Sequence, residues 1–354
     1  MPASIDPISV AVLTDAGGAH LSAYFEALAA IDEVENVLLC DPSGDAAPGA
    51  KKALGEKLAG VFDDPDKMFA GARPEMAMVS VEAVRAPPLI ARALDAGCHV
   101  FAEKPSCVRA EDFESLVKKA EAGGRHLMLA LANRVTPAVR EAGRLISEGK
   151  LGDLYGVELH LIADQTRLTR ESYHRSWFAD PKRAGGGHLI WLGIHWLDLA
   201  MHLSGSSIRE VCGFAGNVGG QPIAAEDSAA LAMKFDNGMF GAMNSGYYLD
   251  RGYHSHLKFW GSKGWLEYAE WLGTERNPKP LRWYSTAEPA TKGIVEYDGP
   301  LEPRGYTPAV RECVLAAAGA GKPPVTGREG LRVLRTVFGL YEASRTGKTV
   351  KLPG

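Results

Sequence analysis

The chain has 354 residues, 46% hydrophobic and 23% charged, with a formal net charge of -4. That length points to about two domains, and that balance suits a globular protein with a large core while excluding a strongly basic surface for nucleic acid or membrane. The five cysteines (Cys40, Cys98, Cys107, Cys212, Cys313) are scattered without CxxC spacing, the opening MPASIDPISVAVL has no signal-peptide pattern, and charges interrupt every apolar run, so free thiols, a cytoplasmic location and no membrane span are expected.

The first 130 residues alternate strand and helix signals. Ile8 to Leu13 is a short apolar run ending in a Gly-containing turn, and a helical stretch follows from His20 to Ala30. Val37 to Cys40 reads as a second strand closed by Asp41-Pro42, and Met76 to Val81 as another. A helix from about Pro87 to Ala96 is stopped by Gly97, and His99 to Ala102 and Leu127 to Leu131 are further strands. Such alternation implies βαβ units on a parallel sheet, with ligands at the carboxyl ends of the strands.

After Pro137 the pattern changes. One helix runs to about Glu148, then strand-like stretches follow at Tyr155 to Ile162, Val211 to Val218, Ala229 to Phe235, Met239 to Tyr247, His256 to Trp260 and Gly264 to Tyr268. Asp236-Asn237-Gly238 and Gly261-Ser262-Lys263-Gly264 are hairpin signals. Residues 277–305 form the loosest region, and Arg328 to Thr346 reads as a final amphipathic helix. The expected architecture is an α/β Rossmann N-terminal domain over 1–130 and an α+β C-terminal domain over 131–354 with an open, mainly antiparallel sheet. The final helix has the option of packing back on the first domain.

Several segments fall in one order. Ala93 to Pro105, ending Glu103-Lys104-Pro105, is followed by Arg134-Val135-Thr136-Pro137, by Gly185-Gly186-Gly187 with Gly193-Ile194-His195 and Asp198, and by the tail from Gly330 to Pro353. This ordered set resembles the glucose-fructose oxidoreductase / inositol dehydrogenase / MocA family over nearly the whole chain. The resemblance implies hydride transfer between a nicotinamide cofactor and a hydroxyl or keto group of a sugar, cyclitol or sugar derivative. It also implies a homodimer or homotetramer built on the second sheet. Glu103 and Lys104 sit just past a strand, where a lysine can hold the substrate hydroxyl and the nicotinamide ribose together. A surface Glu-Lys-Pro turn is the plain alternative.

In the family the histidine at His195 is the candidate general base, which suits an imidazole titrating near working pH. The alternative is a satisfied core histidine. Asp198 lies one turn on, either orienting His195 or simply lying on the helix face. Arg134 either lines the crevice or closes an ion pair. Trp177 lies in a loop, 165–177, that also holds Arg167, Tyr173 and His174 and is placed to supply specificity.

Three departures from the family pattern matter. The glycine loop, Leu13-Thr14-Asp15-Ala16-Gly17-Gly18-Ala19-His20, lacks the G-x-G-x-x-G spacing, leaving Thr14, Ala16, Gly17 and Gly18 as cofactor candidates and Asp15 near the phosphates. Asp41 fits the acid that binds ribose hydroxyls and favours NAD, with NADP left open; its alternative is an Asp-Pro turn. Val81-Glu82-Ala83 stands where the family has Thr-Pro-Asn, beside the nicotinamide. Trp191 replaces the acid four residues before the histidine, so His195 needs another partner. His188, Trp191, His195 and His202 fall near one helix face. One reading has Trp191 stacked on a sugar with His188 adding a hydrogen bond; the other is core packing. Residues seven apart on a helix are about 10 Å apart, so no metal site is expected. Two other functions stay open: elimination or glycoside cleavage through transient oxidation with retained NAD, and a non-catalytic binding or regulatory homologue.

Overall fold

The computed structural model describes residues 5–249, 251–289, 293–301 and 306–353. The first four residues, part of the segment read for a leader, lie outside that set. The chain forms two compact units, Met1–Ala132 with Arg183–Gly185 and Pro303–Leu331, and Asn133–Lys182 with Gly186–Glu302 and Arg332–Gly354. A single cut near residue 130 therefore misses two later returns to the first unit.

The first unit runs β1 (Ile8–Thr14), α1 (Leu21–Ala30), β2 (Val34–Cys40), α2 (Ala47–Leu54), β3 (Leu58–Phe62), α3 (Pro65–Gly71), β4 (Met76–Ser80), α4 (Ala86–Asp95), β5 (His99–Ala102), α5 (Ala110–Ala122) and β6 (Leu127–Leu129). The six strands make one parallel sheet in the order β3-β2-β1-β4-β5-β6. This is a Rossmann sheet, as the resemblance implied. Helices cover both faces, so β4 is buried at every residue and its sequence, Met76-Ala77-Met78-Val79-Ser80, shows no polar alternation. The order reverses between β1 and β4, which makes their carboxyl ends the switch point where a ligand fits. β3 and the helices α2, α3 and α5 were not foreseen. β3 is a half-exposed edge strand of five residues, Leu-Ala-Gly-Val-Phe, with a glycine at its centre and no polar alternation to read.

Beyond residue 132 come α6 (Pro137–Ser147), β7 (Leu154–Asp164), the single turns α7 (Glu171–His174) and α8 (Pro181–Ala184), α9 (Ile194–Ser204), β8 (Ile208–Gly216), β9 (Ser228–Phe235), β10 (Phe240–Leu249), β11 (Tyr253–Gly261) and β12 (Gly264–Tyr268). Short β13 (Trp271–Gly273) and β14 (Glu275–Arg276), then β15 (Leu281–Ser285), β16 (Val295–Glu296), α10 (Thr307–Ala317), α11 (Gly327–Thr346) and β17 (Val350–Lys351) complete the chain. α10 returns to the first unit, packs on α1 and adds Val310, Cys313 and Val314 to its core. The second sheet has the order β16-β15-β12-β11-β7-β10-β9-β8-β17, with β13 and β14 added beside β11. Every pairing in it is antiparallel except β7 with β10. The sheet is thus mixed and mostly antiparallel. The stretch read as loosest contains β15, which alternates buried and exposed residues; residues 290–292 and 302–305 of it lie outside the described set.

The glycine run at 185–187 sets the approach to α9. A Cβ on Gly187 would lie 2.0 Å from the Glu226 carbonyl oxygen, and one on Gly186 would meet the Tyr341 hydroxyl. The first obstacle is backbone and cannot swing aside. Gly187→Ala is therefore expected to cost about 3 kcal/mol of stability, read as a lowered midpoint in urea; an unchanged midpoint would show that this approach is loose.

Candidate active site

In the first unit the loop after β1 is held by polar contacts that the glycine spacing did not reveal. Thr14 is buried and its hydroxyl donates to the Ser80 carbonyl at the end of β4 (2.8 Å). Gly17 has φ 80°, and a Cβ on Gly18 would sit 2.7 Å from that same Ser80 carbonyl. Gly17 thus makes the turn and Gly18 allows the close approach, one job for each of the two adjacent glycines. Ala16 donates its amide to the Asp15 carboxylate (2.7 Å), and that carboxylate pairs with Arg85. The acid beside a phosphate site is therefore neutralised by a cation. No side chain caps the amino end of α1, whose oriented N–H groups and dipole suit an anion.

Asp41 is buried at the end of β2. One oxygen accepts from the Ser43 amide (3.1 Å) and hydroxyl (2.6 Å), and the other from the Ala46 amide (2.7 Å). The carboxylate thus organises the Asp-Pro turn, and its remaining lone pairs are what it has to offer a ribose. Val81 is buried, whereas the Glu82 carboxylate forms a two-pronged pair with Arg183. Glu82 is committed to that arginine and to the loop it fastens.

Glu103 and Lys104 follow β5, and each is 4% exposed. The Tyr24 hydroxyl of α1 donates to Glu103, while His20 Nδ1 and Lys104 Nζ lie 3.3 and 3.8 Å from its Oε1. Burial, then Glu103 itself, pushes the Tyr24 hydroxyl well above its ordinary value, so it stays a donor. Tyr24 is fixed by edge contacts with Phe101 (5.4 Å) and Tyr306 (5.0 Å). The Lys104–Pro105 peptide is cis, and the Ser106 hydroxyl closes the turn on the Glu103 carbonyl. Such burial is not that of a surface turn. Among the described residues, Glu103 Oε1 lies beside Lys104 and His20 without a hydrogen-bond donor of its own. Together with the uncapped α1 and the acid after β2, these residues fit a dinucleotide.

In the second unit Arg134 and Asp198 are both buried and joined by a fork, Nε to Oδ2 at 2.8 Å and Nη2 to Oδ1 at 2.5 Å. Of the alternatives for Arg134 the structure shows the ion pair, and its guanidinium reaches both oxygens of Asp198. From Ile194 to Met201, His195 is the one residue that is not buried. Its imidazole is thus partly open on an otherwise buried stretch.

The shared helix face drawn through His188, Trp191, His195 and His202 does not hold. Leu189–Gly193 is a π-type turn, so spacings across it do not follow the α-helical period. His188 is fully buried, with Nε2 2.6 Å from the Ser245 hydroxyl and its ring edge-on to Tyr247 at 4.4 Å. Trp191 is buried against Trp177 (5.2 Å) and Phe178 (4.6 Å), and Trp177 stacks on Phe178 (4.0 Å). That cluster is the packing alternative, not an open sugar platform. The amino end of the turn is held by Glu226, which accepts from the Gly187 amide (2.6 Å), the Leu189 amide (3.0 Å) and the Tyr341 hydroxyl (2.7 Å). Tyr24 and Glu226 carried no sequence signal, because each works through partners far away in the chain; Phe178, packed on Trp177 and Trp191, was also missed.

With this geometry in hand, comparison with known proteins is direct. Residues 8–131 match the model of the oxidoreductase family with an NAD-binding Rossmann fold, and residues 139–267 match the GFO/IDH/MocA C-terminal domain. The fold and the match define an NAD-binding oxidoreductase. The chain belongs to the GFO/IDH/MocA family. It is 28% identical over 225 residues to the D-glucoside 3-dehydrogenase of Escherichia coli K12, covering 58% of this chain and 61% of that one. It is 24% identical over 350 residues to the D-apiose dehydrogenase of Paraburkholderia graminis, covering 94% and 86%. Among solved structures, an oxidoreductase domain protein from Kribbella flavida superposes with TM-score 0.85 at 21% identity, covering 99% of this chain and 100% of that one. The WlbA dehydrogenase from Bordetella pertussis, solved with NADH and UDP-GlcNAcA, gives 0.79 at 22% identity, covering 98% and 99%. At these identities the two structures speak for the fold. Among the described residues no helix is long and apolar enough to cross a membrane.

Burial, helped by the Arg167 cation, pushes the His188 imidazole down to about 3. A histidine held below its unfolded value of about 6.5 supports the fold above that pH and loses this support as pH falls, because the unfolded chain then takes the proton first. Lowering the pH from 8 to 5 should remove about 2 kcal/mol through this group. Urea midpoints at the two pH values measure it, and His188→Gln should show a smaller drop than the native chain; an equal drop would refute the assignment.

Proposed function

We propose that this protein oxidises or reduces a CH–OH group of a sugar, cyclitol or sugar derivative with NAD. The observation that carries the reading is the buried Glu103–Lys104 pair just past β5, on the sheet whose switch point suits a dinucleotide. NAD, when bound, supplies the hydride acceptor. Lys104 binds and orients the substrate hydroxyl, its ammonium kept in place by Glu103, and His195 accepts the hydroxyl proton. Asp198 acts through Arg134 as a brace for α9. The Asp41 acid, with no basic side chain among its bonded partners, favours NAD over NADP.

The same proposal includes a homodimer or homotetramer on the second sheet. The register places Tyr284, Trp265, Trp260, Gly156 and Phe240 in one cross-strand row. Phe240 is 66% and Trp260 43% exposed, so the row presents aromatic surface of the kind a second copy covers.

A panel of sugars, polyols and their acids, each offered with NAD and followed by NADH absorbance, tests the reading. At least one is expected to turn over, and Lys104→Ala should lower kcat about 100-fold or more with the fold intact. Full turnover by Lys104→Ala would remove the lysine from the mechanism.

A further inference from the structure

Arg167 follows β7 in the loop that also holds Trp177. Its guanidinium carbon lies 5.5 Å from the centre of the Tyr247 ring. Tyr247 is buried, and with Ala163 and Leu168 it forms a small core against which Tyr173 and Tyr253 pack. Among the described residues no carboxylate pairs with this guanidinium and no carbonyl takes a hydrogen bond from it. Asp164, the nearest acid in sequence, has its Oδ1 on the Thr166 amide (2.7 Å).

This is an unusual setting for an arginine. A guanidinium carries five N–H donors in a fixed fork and seldom leaves water without acceptors for them. The face of Tyr247 stabilises the positive charge but takes none of those hydrogens. Arg134, in the same unit, shows the ordinary solution, a two-pronged carboxylate. Arg167 has the same fork, is only partly exposed, and has no such partner among the described residues. Tyr247 also contacts His188, which is buried and hydrogen-bonded to Ser245. Burial, and after it the Arg167 cation, lowers the His188 value, and the imidazole stays neutral. The partly exposed part of this patch is the guanidinium itself, backed by the buried Tyr247, His188 and Ser245.

We infer that Arg167 is a specificity residue that recognises an anionic group, a carboxylate or phosphate, on a carbohydrate-like substrate. A planar oxyanion matches the fork with two parallel hydrogen bonds. The carbon skeleton of that substrate rests on the function proposed above; the demand for an anion rests on Arg167 alone.

The test is calorimetric binding to the full chain, with and without NADH, of D-glucuronate, D-glucose 6-phosphate and neutral D-glucose. At least one acid should bind ten times more tightly than glucose or better. Arg167→Met should weaken that acid about 30-fold or more while leaving glucose unchanged, and Arg167→Lys should keep part of the preference. The stronger arm says whether the anion is a carboxylate or a phosphate. Equal binding of all three probes, no binding of either acid, or a preference that survives in a folded Arg167→Met chain would overturn the inference. NADH formation is scored separately in the same samples. Charge-selective binding without turnover of any probe would count against the dehydrogenase reading and uphold Arg167, whereas turnover with no preference for the acids would do the reverse.

Discussion

A carboxylate taken out of water must find donors or cations, and Glu103 finds them on two elements at once. The Tyr24 hydroxyl reaches it from α1, His20 from the turn before α1, and Lys104 from the next residue. α1 starts the dinucleotide site and β5 ends beside it, so this one cluster ties the phosphate end of the first unit to its reactive end. Lys104 is buried because Glu103 is there to meet its charge, and without that charge a buried ammonium would be strongly disfavoured. The chemistry assigned to the lysine follows from a packing requirement in the sheet beneath it.

The second unit repeats the device. Asp198 is satisfied by the fork of Arg134, and Glu226 by two backbone amides and the Tyr341 hydroxyl. Burial pushes the Glu226 carboxyl up while its donors oppose that. These clamps fix the two ends of the segment that carries His188 and His195. Between His188 and His195 lies the π-type turn Leu189–Gly193, so the two do not share one α-helical register. Buried polar pairs thus brace the elements that hold His188 and His195, and Arg167 stands out because no such pair is made to it among the described residues.

Much of the fold was legible because strand and helix periods are local. His99 to Ala102 and Gly264 to Tyr268 match the observed strands residue for residue. The parallel sheet followed from the alternation, and the second sheet from its hairpin turns. What escaped was of two kinds. Short edge elements such as β3, five residues with a glycine at the centre, do not stand out from loops. Long-range partners leave no local trace: Tyr24 and Glu103 are 79 residues apart, and Glu226 and Tyr341 are 115 apart. For the same reason the marker segments gave the position of Lys104 and His195 but not what surrounds them. The π-type turn defeated a face drawn from α-helical spacing, and Trp191 went with it into an aromatic core.

The central claim is that the rebuilt glycine loop still serves a dinucleotide, with Gly17 turning the chain and Gly18 bringing it against Ser80. Energy transfer from the protein's tryptophans to bound NADH and NADPH measures this directly. Saturable binding of NADH, tighter than that of NADPH, is the expected result. No binding of either nucleotide at millimolar concentration would contradict the account at its root.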